Sequence, residues 1–446
     1  MNLLTYSYKD SPRLRYISDI LLTGILGIPF ELTHNAQRFK NFDGPKINYS
    51  EKSFGDNSLW ITPHPVIFAN NIVGQEITVS EWDKQKIFFQ TSPGCGFPFD
   101  IFAAGFYLLS RYEEYLSFTA DKYGRFEADQ SLAFRNGFLN EPVVNQWAVK
   151  LGNVIAEMYN GLAVRNKEFE YISTIDIDSA WAYLHKGFLR TAGAFVKSVL
   201  RFDLHDFGKR LRTLSGADED PYYVFDYLKE QESKYGFNSV YFFLTGKYGR
   251  YDKNIPARKE VFRNLVLDKF KSSQVGIHPS YNSSKKFGIL DQEIRNFSSI
   301  INTAVKKSRQ HFLVIRFPET FRRLINSGIT EDYSLGYSSA PGFRAGICTP
   351  FRFYDLPEEK VTDLTLIPFT VMDVTLKEYM RLGPDEAINK IKEMVSKVKN
   401  VNGTFVSLWH NESLSETGQW KGWRRVYEEM LKMIYPACAE APAGRA

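Results

Sequence analysis

Cysteine is scarce in this chain of 446 residues. Cys95, Cys348 and Cys438 stand far apart with no CxxC spacing, which excludes a disulfide framework and a cysteine zinc site. No run of 18 apolar residues occurs, and the opening MNLLTYSYKDSPRLRY has no uninterrupted apolar core of the kind a secretory signal carries. The expected location is therefore the cytoplasm. Charge of one sign is also lacking: 56 Lys and Arg against 51 Asp and Glu leave only +5, too little over this length to point to nucleic acid. A Gly-x-Gly-x-x-Gly phosphate fingerprint is missing as well. The turn-rich Pro93–Pro98 reads as a structural loop, because Asp100 already supplies negative charge at the start of the following helix.

What remains is a globular composition, 43% hydrophobic and 24% charged, in a chain too long for one ordinary core. Two domains are expected. Phe and Tyr are abundant, at 36 and 25; such rings stack on sugars or simply fill cores, and composition does not choose.

Strand-like and helix-like stretches alternate from the start. Strands are expected at 3–8, 29–33, 58–62 and 86–90, and helices at 13–26, 101–116 and 144–159, with 101–116 buried between layers. This first part, 1–165, reads as a small α/β domain without a catalytic constellation. After the polar stretch GLAVRNKEFE the pattern restarts. Strands are expected at 171–176, 238–244, 274–277, 311–316, 365–371 and 403–408, with helices at 222–235, 257–272, 288–306, 384–399 and 423–434. Repeated βα units imply a parallel sheet or barrel over 166–436, whose sites lie at the C-terminal strand ends. The tail 437–446 reads as disordered.

Those strand ends carry titratable residues. Asp176 and Asp178, separated by one residue, share a side of an extended segment, so one can hold a cation while the other acts as base. His278 follows the apolar strand 274–277 and His410 follows 403–408; each could also be an ordinary histidine at a turn. Arg309 and His311 alternate on one face of an expected strand. Asp373 ends the strand before His410 and could orient it. Three of only seven histidines fall in this half at such positions. Together they suggest an Asp/His divalent-metal site beside an acid–base pair.

These residues resemble the polysaccharide deacetylases of carbohydrate esterase family 4, the NodB-like family, over about 170–415 and in the family's order. Thr174–Asp178 resembles its Thr-Phe-Asp-Asp motif with one inserted residue, and Asn238–Leu244 its second strand. Gly276-Ile277-His278 resembles the start of its His-x-x-x-His motif, and Leu408-Trp409-His410 its closing Leu-x-His. With Asp100–Ala104, Ser110–Tyr115 and Gly342–Gly346, the whole chain resembles Bacteroidetes-type deacetylase-like proteins that carry an extra N-terminal α/β domain. The resemblance implies a distorted seven-stranded (β/α) barrel and a divalent cation of the Zn²⁺ type. It implies hydrolysis of N- or O-acetyl groups on a saccharide, in surface-polysaccharide metabolism. Asp176 becomes the base, Asp178 and His278 metal ligands, and His410 the acid tuned by Asp373. Arg309 steadies the base, while Arg344, Trp409 and Tyr281 are the expected substrate contacts.

Two departures stand out. Asn282 occupies the place of the second histidine, and an amide is a poor zinc ligand; His311 is the candidate replacement. Arg309 and Arg344, the latter in Phe343-Arg344-Ala345-Gly346, both have claims to the arginine motif. The alternative to an enzyme is an impaired barrel serving as a sugar-binding or assembly factor; a third reading is a hydrolase of non-sugar amides. The basic, apolar stretch 185–213 reads as an insertion over the barrel mouth. Its charges suit a solvated helix face or an anionic membrane or glycan, and the solvated face is the expectation.

Overall fold

The computed structural model describes residues 2–159, 167–200, 202–286 and 288–436. The expected boundary at 165/166 and the expected disordered tail 437–446 lie outside the described residues.

The first part begins with β1 (Leu3–Ser7) and α1 (Pro12–Ser18), then β2 (Phe30–Thr33), α2 (Ala36–Lys40), β3 (Lys46–Tyr49) and β4 (Leu59–Ile61). The four strands make a parallel sheet in the order β2-β1-β3-β4. Ser11 starts α1 by accepting the Leu14 N–H, with Pro12 in the first turn, where its missing N–H costs nothing. A short antiparallel pair, β5 (Ser80–Trp82) and β6 (Gln85–Ile87), precedes α3 (Ile101–Leu109). Asp100 caps α3 by accepting from Phe102 and Ala103 N–H, and the helix is buried on every side. It stops short of the expected Leu116 because Arg111 adopts left-handed backbone, φ 54°. A tighter turn, Tyr112–Tyr115, follows. The short α4 (Leu132–Arg135) and long α5 (Val143–Met158) complete this part.

The second part opens on β7 (Glu170–Ile177), then α6 (Phe188–Leu200), α7 (Leu204–Leu214), α8 (Phe225–Tyr235) and β8 (Val240–Leu244). Next come α9 (Glu260–Ser272), β9 (Gln274–His278), α10 (Ile289–Ile301), β10 (Lys307–Ser308), α11 (Glu319–Asn326) and β11 (Glu331–Asp332). The chain ends through β12 (Phe351–Asp355), β13 (Lys360–Leu366), β14 (Val371–Met372), α12 (Pro384–Lys399), β15 (Thr404–His410) and α13 (Trp423–Ile434). These strands form one sheet in the order β12-β13-β11-β10-β9-β8-β7-β15-β14, parallel except for β12. That makes nine strands, against the seven the resemblance implies, with β12 adding an antiparallel edge.

The sheet is strongly curled. β13 and β14 are seven strand spacings apart in that order, about 34 Å if the sheet were flat. Leu366 and Val371, the facing ends of the two strands, are five residues apart in sequence and can span at most about 18 Å. The link touches both sides: Ile367 N–H donates to Asp332 O and Thr370 N–H to Val406 O, each at 2.8 Å. Val240, Phe242, Tyr333, Phe369, Val406 and Leu408 fill the concave interior. Their strand neighbours Tyr241, Phe243 and Phe405 point the other way, into a larger core. Gly276 is required beside this interior, since a Cβ there would lie 2.5 Å from the Phe242 ring and 2.9 Å from Lys307 O.

The larger core is continuous from Leu3 to Ile434, so the two sheets share it. Each fully buried large apolar side chain in it is worth about 1.5–3 kcal/mol. Arg13 pairs with Glu359, and Arg344 with Glu114, across the two parts. Among the described residues no helix is long and apolar enough to cross a membrane. The expected strand 311–316 is absent, although Phe312, Val314 and Ile315 are types that favour strands. Phe312 and Leu313 both take left-handed backbone, φ 59° and 54°, which turns the chain sharply after His311.

Candidate functional site

The parallel strand ends open into a cavity of about 670 Å³ lined by Asp176, Asp178, His278, His311, His410 and Glu412, among others. Asp176 ends up beside His410 because β7 and β15 pair in that register, and His278 closes β9.

Asp178 sits between two imidazoles. Its Oδ1 is 3.2 Å from His278 Nε2 and its Oδ2 is 3.3 Å from His311 Nε2. One ligand atom from each of the three residues lies within 4.8 Å of the others. Both histidine tautomers are set from behind. His278 Nδ1–H donates to Arg309 O, and His311 Nδ1–H donates at 2.9 Å to Asp252 Oδ1. A carbonyl and a carboxylate only accept, so in the neutral rings both Nε2 lone pairs face Asp178.

The electrostatics agree with a cation-binding point. Burial works against charge on Asp178, but the charge of His311 and the bonds from both histidines hold it well below the usual carboxylate range. Burial also opposes a charge on His311, yet Asp178 and Asp252 push it up to about 9. Asp176 Oδ1 is buried without a hydrogen-bond partner. Two imidazole nitrogens and a carboxylate, beside that unpartnered oxygen, are the donor set of a borderline divalent cation, and these residues could hold one.

Asp176 stands next to that point, with Oδ2 3.8 Å from His278 Nε2 and 3.9 Å from Arg309 Nη1. Arg309 is fully buried, donates to Thr174 Oγ1 at 2.8 Å, and lies over the Phe242 and Phe369 rings. His410 is held twice by one carboxylate: its Nδ1–H donates to Asp373 Oδ1 at 2.8 Å and its backbone N–H to Oδ2 at 2.7 Å. Burial disfavours the imidazolium, but Asp373, then Asp178 and Asp176, raise its pKa well above the ordinary value. Glu412 is pushed up to about 7 by burial and by the nearby charge of Asp178.

Three expected substrate contacts are not on this cavity, and these expectations are corrected. Arg344 is buried against Glu114, with Nε donating to Glu114 Oε1 at 2.9 Å and Nη1 to Gly336 O. This also leaves Arg309 as the arginine beside Asp176. Trp409 is buried against Trp423 and Tyr427, on the face of β15 opposite His410. Tyr281 is buried behind Tyr251 and Phe312, its hydroxyl donating to Tyr123 O at 3.3 Å.

Other groups were not anticipated. Asp252, fully buried, accepts from His311 and, through the same Oδ1, from Tyr281 N–H at 2.9 Å. Asn282 donates to its other oxygen at 3.3 Å, so position 282 supports His311 at one remove. The first part of the chain, read as lacking site residues, supplies a wall: Asp121, Tyr123, Arg125 and Glu127 line the cavity. Arg125 fixes that loop by donating to Phe312 O and the Tyr379 hydroxyl, both at 3.1 Å, while stacking on Tyr123. No spacing in Asp121–Glu127 signals this, whereas an acid in a loop beside His278 and His311 could have been sought as the partner every ligating histidine needs.

Residues 3–160 match the model of a family of unknown function (DUF7033). No curated protein matches the chain. Among solved structures the chain is similar to a Mycobacterium smegmatis protein assigned as a polysaccharide deacetylase, at 12% identity and TM-score 0.40, over 62% of this chain and 86% of that one. It is also similar to a polysaccharide deacetylase from Bacillus cereus, at 12% identity and TM-score 0.30, over 60% and 88%. A third likeness is to a CE4-family pseudoenzyme from Bacillus anthracis, at 12% identity and TM-score 0.26, over 61% and 63%.

Proposed function

We propose that this protein is a metal-dependent hydrolase that removes N- or O-acetyl groups from a saccharide, on a distorted barrel of the NodB-like kind. The observation that carries the reading is the convergence of Asp178, His278 and His311 on one point. Asp176 and His410 stand beside it in the same cavity. On this reading residues 166–436 are the catalytic domain, and 1–165 form a domain whose Asp121–Glu127 loop closes one wall of the cavity.

Asp178, His278 and His311 would hold a Zn²⁺-type cation, which when bound would supply Lewis acidity to the hydrolysis. The chain's own residues do the proton transfers. Asp176 offers a buried, unpartnered Oδ1 to the proton of the attacking water. The Arg309 guanidinium stands 3.9 Å from its other oxygen and steadies the carboxylate in place. His410, protonated through Asp373, presents Nε2–H to the leaving amine or alkoxide as the tetrahedral intermediate collapses. The cavity volume is within the range of small-ligand sites, and the Tyr123, Phe312 and Tyr379 side chains give it apolar wall for a sugar face.

The test is metal content together with acetate release. Purified protein is expected to hold about one zinc-type ion per chain and to release acetate from a panel of acetylated glycans, with Asp176→Asn abolishing release while retaining the metal. A chain that takes up no divalent ion, and releases no acetate across the panel with added Zn²⁺, would sink the proposal.

A further inference from the structure

The stretch expected to present a solvated basic face is folded as a helical hairpin with its apolar side turned outward. Nine of the twenty exposed large hydrophobic side chains among the described residues fall between Phe188 and Leu214, so the exposure is concentrated rather than scattered. Phe188 and Leu189 are each 85% exposed at the start of α6, while Leu200, Phe202 and Leu204, at the turn into α7, are 74%, 89% and 77% exposed. Along α6 the exposed stripe Leu189, Gly193, Val196, Leu200 follows helical spacing with no charged member.

The hairpin is not a loose arm whose apolar residues await a place in the core. Its inner side is already packed: Phe195 meets Phe207 edge-to-face at 5.1 Å, and Ser198 Oγ donates to Asp206 Oδ2 at 2.6 Å. Its base is tied to the loops that follow the strands. Asp220 accepts the N–H groups of Ala182, Tyr183 and Leu184, and Tyr183 donates to Asp206. Arg190 donates to Asn254 O and Lys253 O, next to the Asp252 that holds His311, and stacks on Tyr248 at 3.9 Å. The hairpin thus grows directly from the strand end that bears Asp176 and Asp178.

Charge favours one occupant. Residues 186–214 contain seven Lys and Arg against two Asp; Arg210 pairs with Asp206 and Arg212 with Asp218, and the stretch 186–220 keeps an excess of two. A second copy of the same face would bring like charges together around its apolar stripes. A bilayer surface rich in anionic headgroups satisfies both features, taking the apolar side chains at the acyl boundary and the cations among the phosphates. We propose that the α6–α7 hairpin is a membrane-docking element for anionic lipid surfaces. The docking does not depend on the reaction performed in the cavity.

The experiment is co-sedimentation of the full chain with vesicles of phosphatidylcholine alone and of phosphatidylcholine with about one-third phosphatidylglycerol. A triple variant, Leu200→Ser, Phe202→Ser and Leu204→Ser, is compared; all three side chains are exposed, so thermal melting should be unchanged. The expected result is binding to the anionic vesicles, weakened by high salt and about tenfold or more weaker in the triple variant. Failure to sediment with anionic vesicles would overturn the proposal, as would undiminished binding by a folded triple variant. A concentration-dependent dimer that the triple variant abolishes, without vesicle binding, would assign the face to a second copy instead.

Discussion

Asp252 makes no contact with the proposed cation and no spacing rule singles it out, yet the geometry makes it the support of one ligand. Its Oδ1 accepts from both His311 Nδ1 and Tyr281 N–H, each at 2.9 Å. Removing the carboxylate in Asp252→Ala frees the imidazole to rotate or to carry its proton on Nε2, where it cannot ligate. Losses of a histidine's second partner cost about 10- to 100-fold in metal affinity. Asp252→Asn keeps an accepting oxygen but loses the charge, so it should fall at the low end of that range. The stability consequence follows by mass action. With Zn²⁺ at 1,000 times its dissociation constant, binding stabilises the fold by about 4.1 kcal/mol; a 100-fold weaker site at the same Zn²⁺ concentration leaves about 1.4 kcal/mol. Competition against a chromophoric chelator gives the affinity, and unfolding with and without Zn²⁺ gives the linked stability. If Asp252→Ala binds Zn²⁺ as tightly as the unaltered chain, His311 is not a ligand and the site has been misread.

The pKa of His410 makes a further test. Asp373 holds the proton on the ring, so the acid form persists to higher pH; in Asp373→Asn that proton leaves earlier, and the alkaline limb of the kcat/KM profile should move down by about one unit or more. An unmoved limb would remove His410 from the acid role. Glu114 neutralises two buried guanidiniums, those of Arg111 and Arg344, so Glu114→Ala should cost about 3–5 kcal/mol in denaturant unfolding. A loss below about 1 kcal/mol would mean that water reaches the pair. Trp409→Phe should lower stability by about 1 kcal/mol through lost packing and leave KM unchanged; a raised KM at full stability would return Trp409 to the substrate.

The strand ends were legible because an apolar run that stops at a titratable residue is a local pattern. That pattern located Asp176, Asp178, His278 and His410, and the need for a second imidazole pointed to His311. The same period of two could have excluded Trp409, since neighbours on a strand face opposite ways and His410 looks into the cavity. Arg344 was beyond reach for a different reason. Its partner Glu114 lies 230 positions earlier, and only the shared core brings the two together. The stretch 311–316 was misread as a strand because Phe312, Val314 and Ile315 are strand formers by type, whereas Phe312 and Leu313 take left-handed backbone. Loop residues such as Asp252 and Arg125 carry no periodicity at all. The basic hairpin was visible as amphipathic, but which side met solvent depended on the Phe195–Phe207 contact.

If Asp178, His278 and His311 share one cation, bound zinc will lie among all three. Anomalous scattering from crystals grown with Zn²⁺ tests it directly. A single strong peak is expected about 2.0–2.2 Å from the Nε2 atoms of His278 and His311 and from an Asp178 oxygen, with Asp176 and His410 alongside. A peak coordinated without His311, or no peak in this cavity from protein that has taken up zinc, would contradict it.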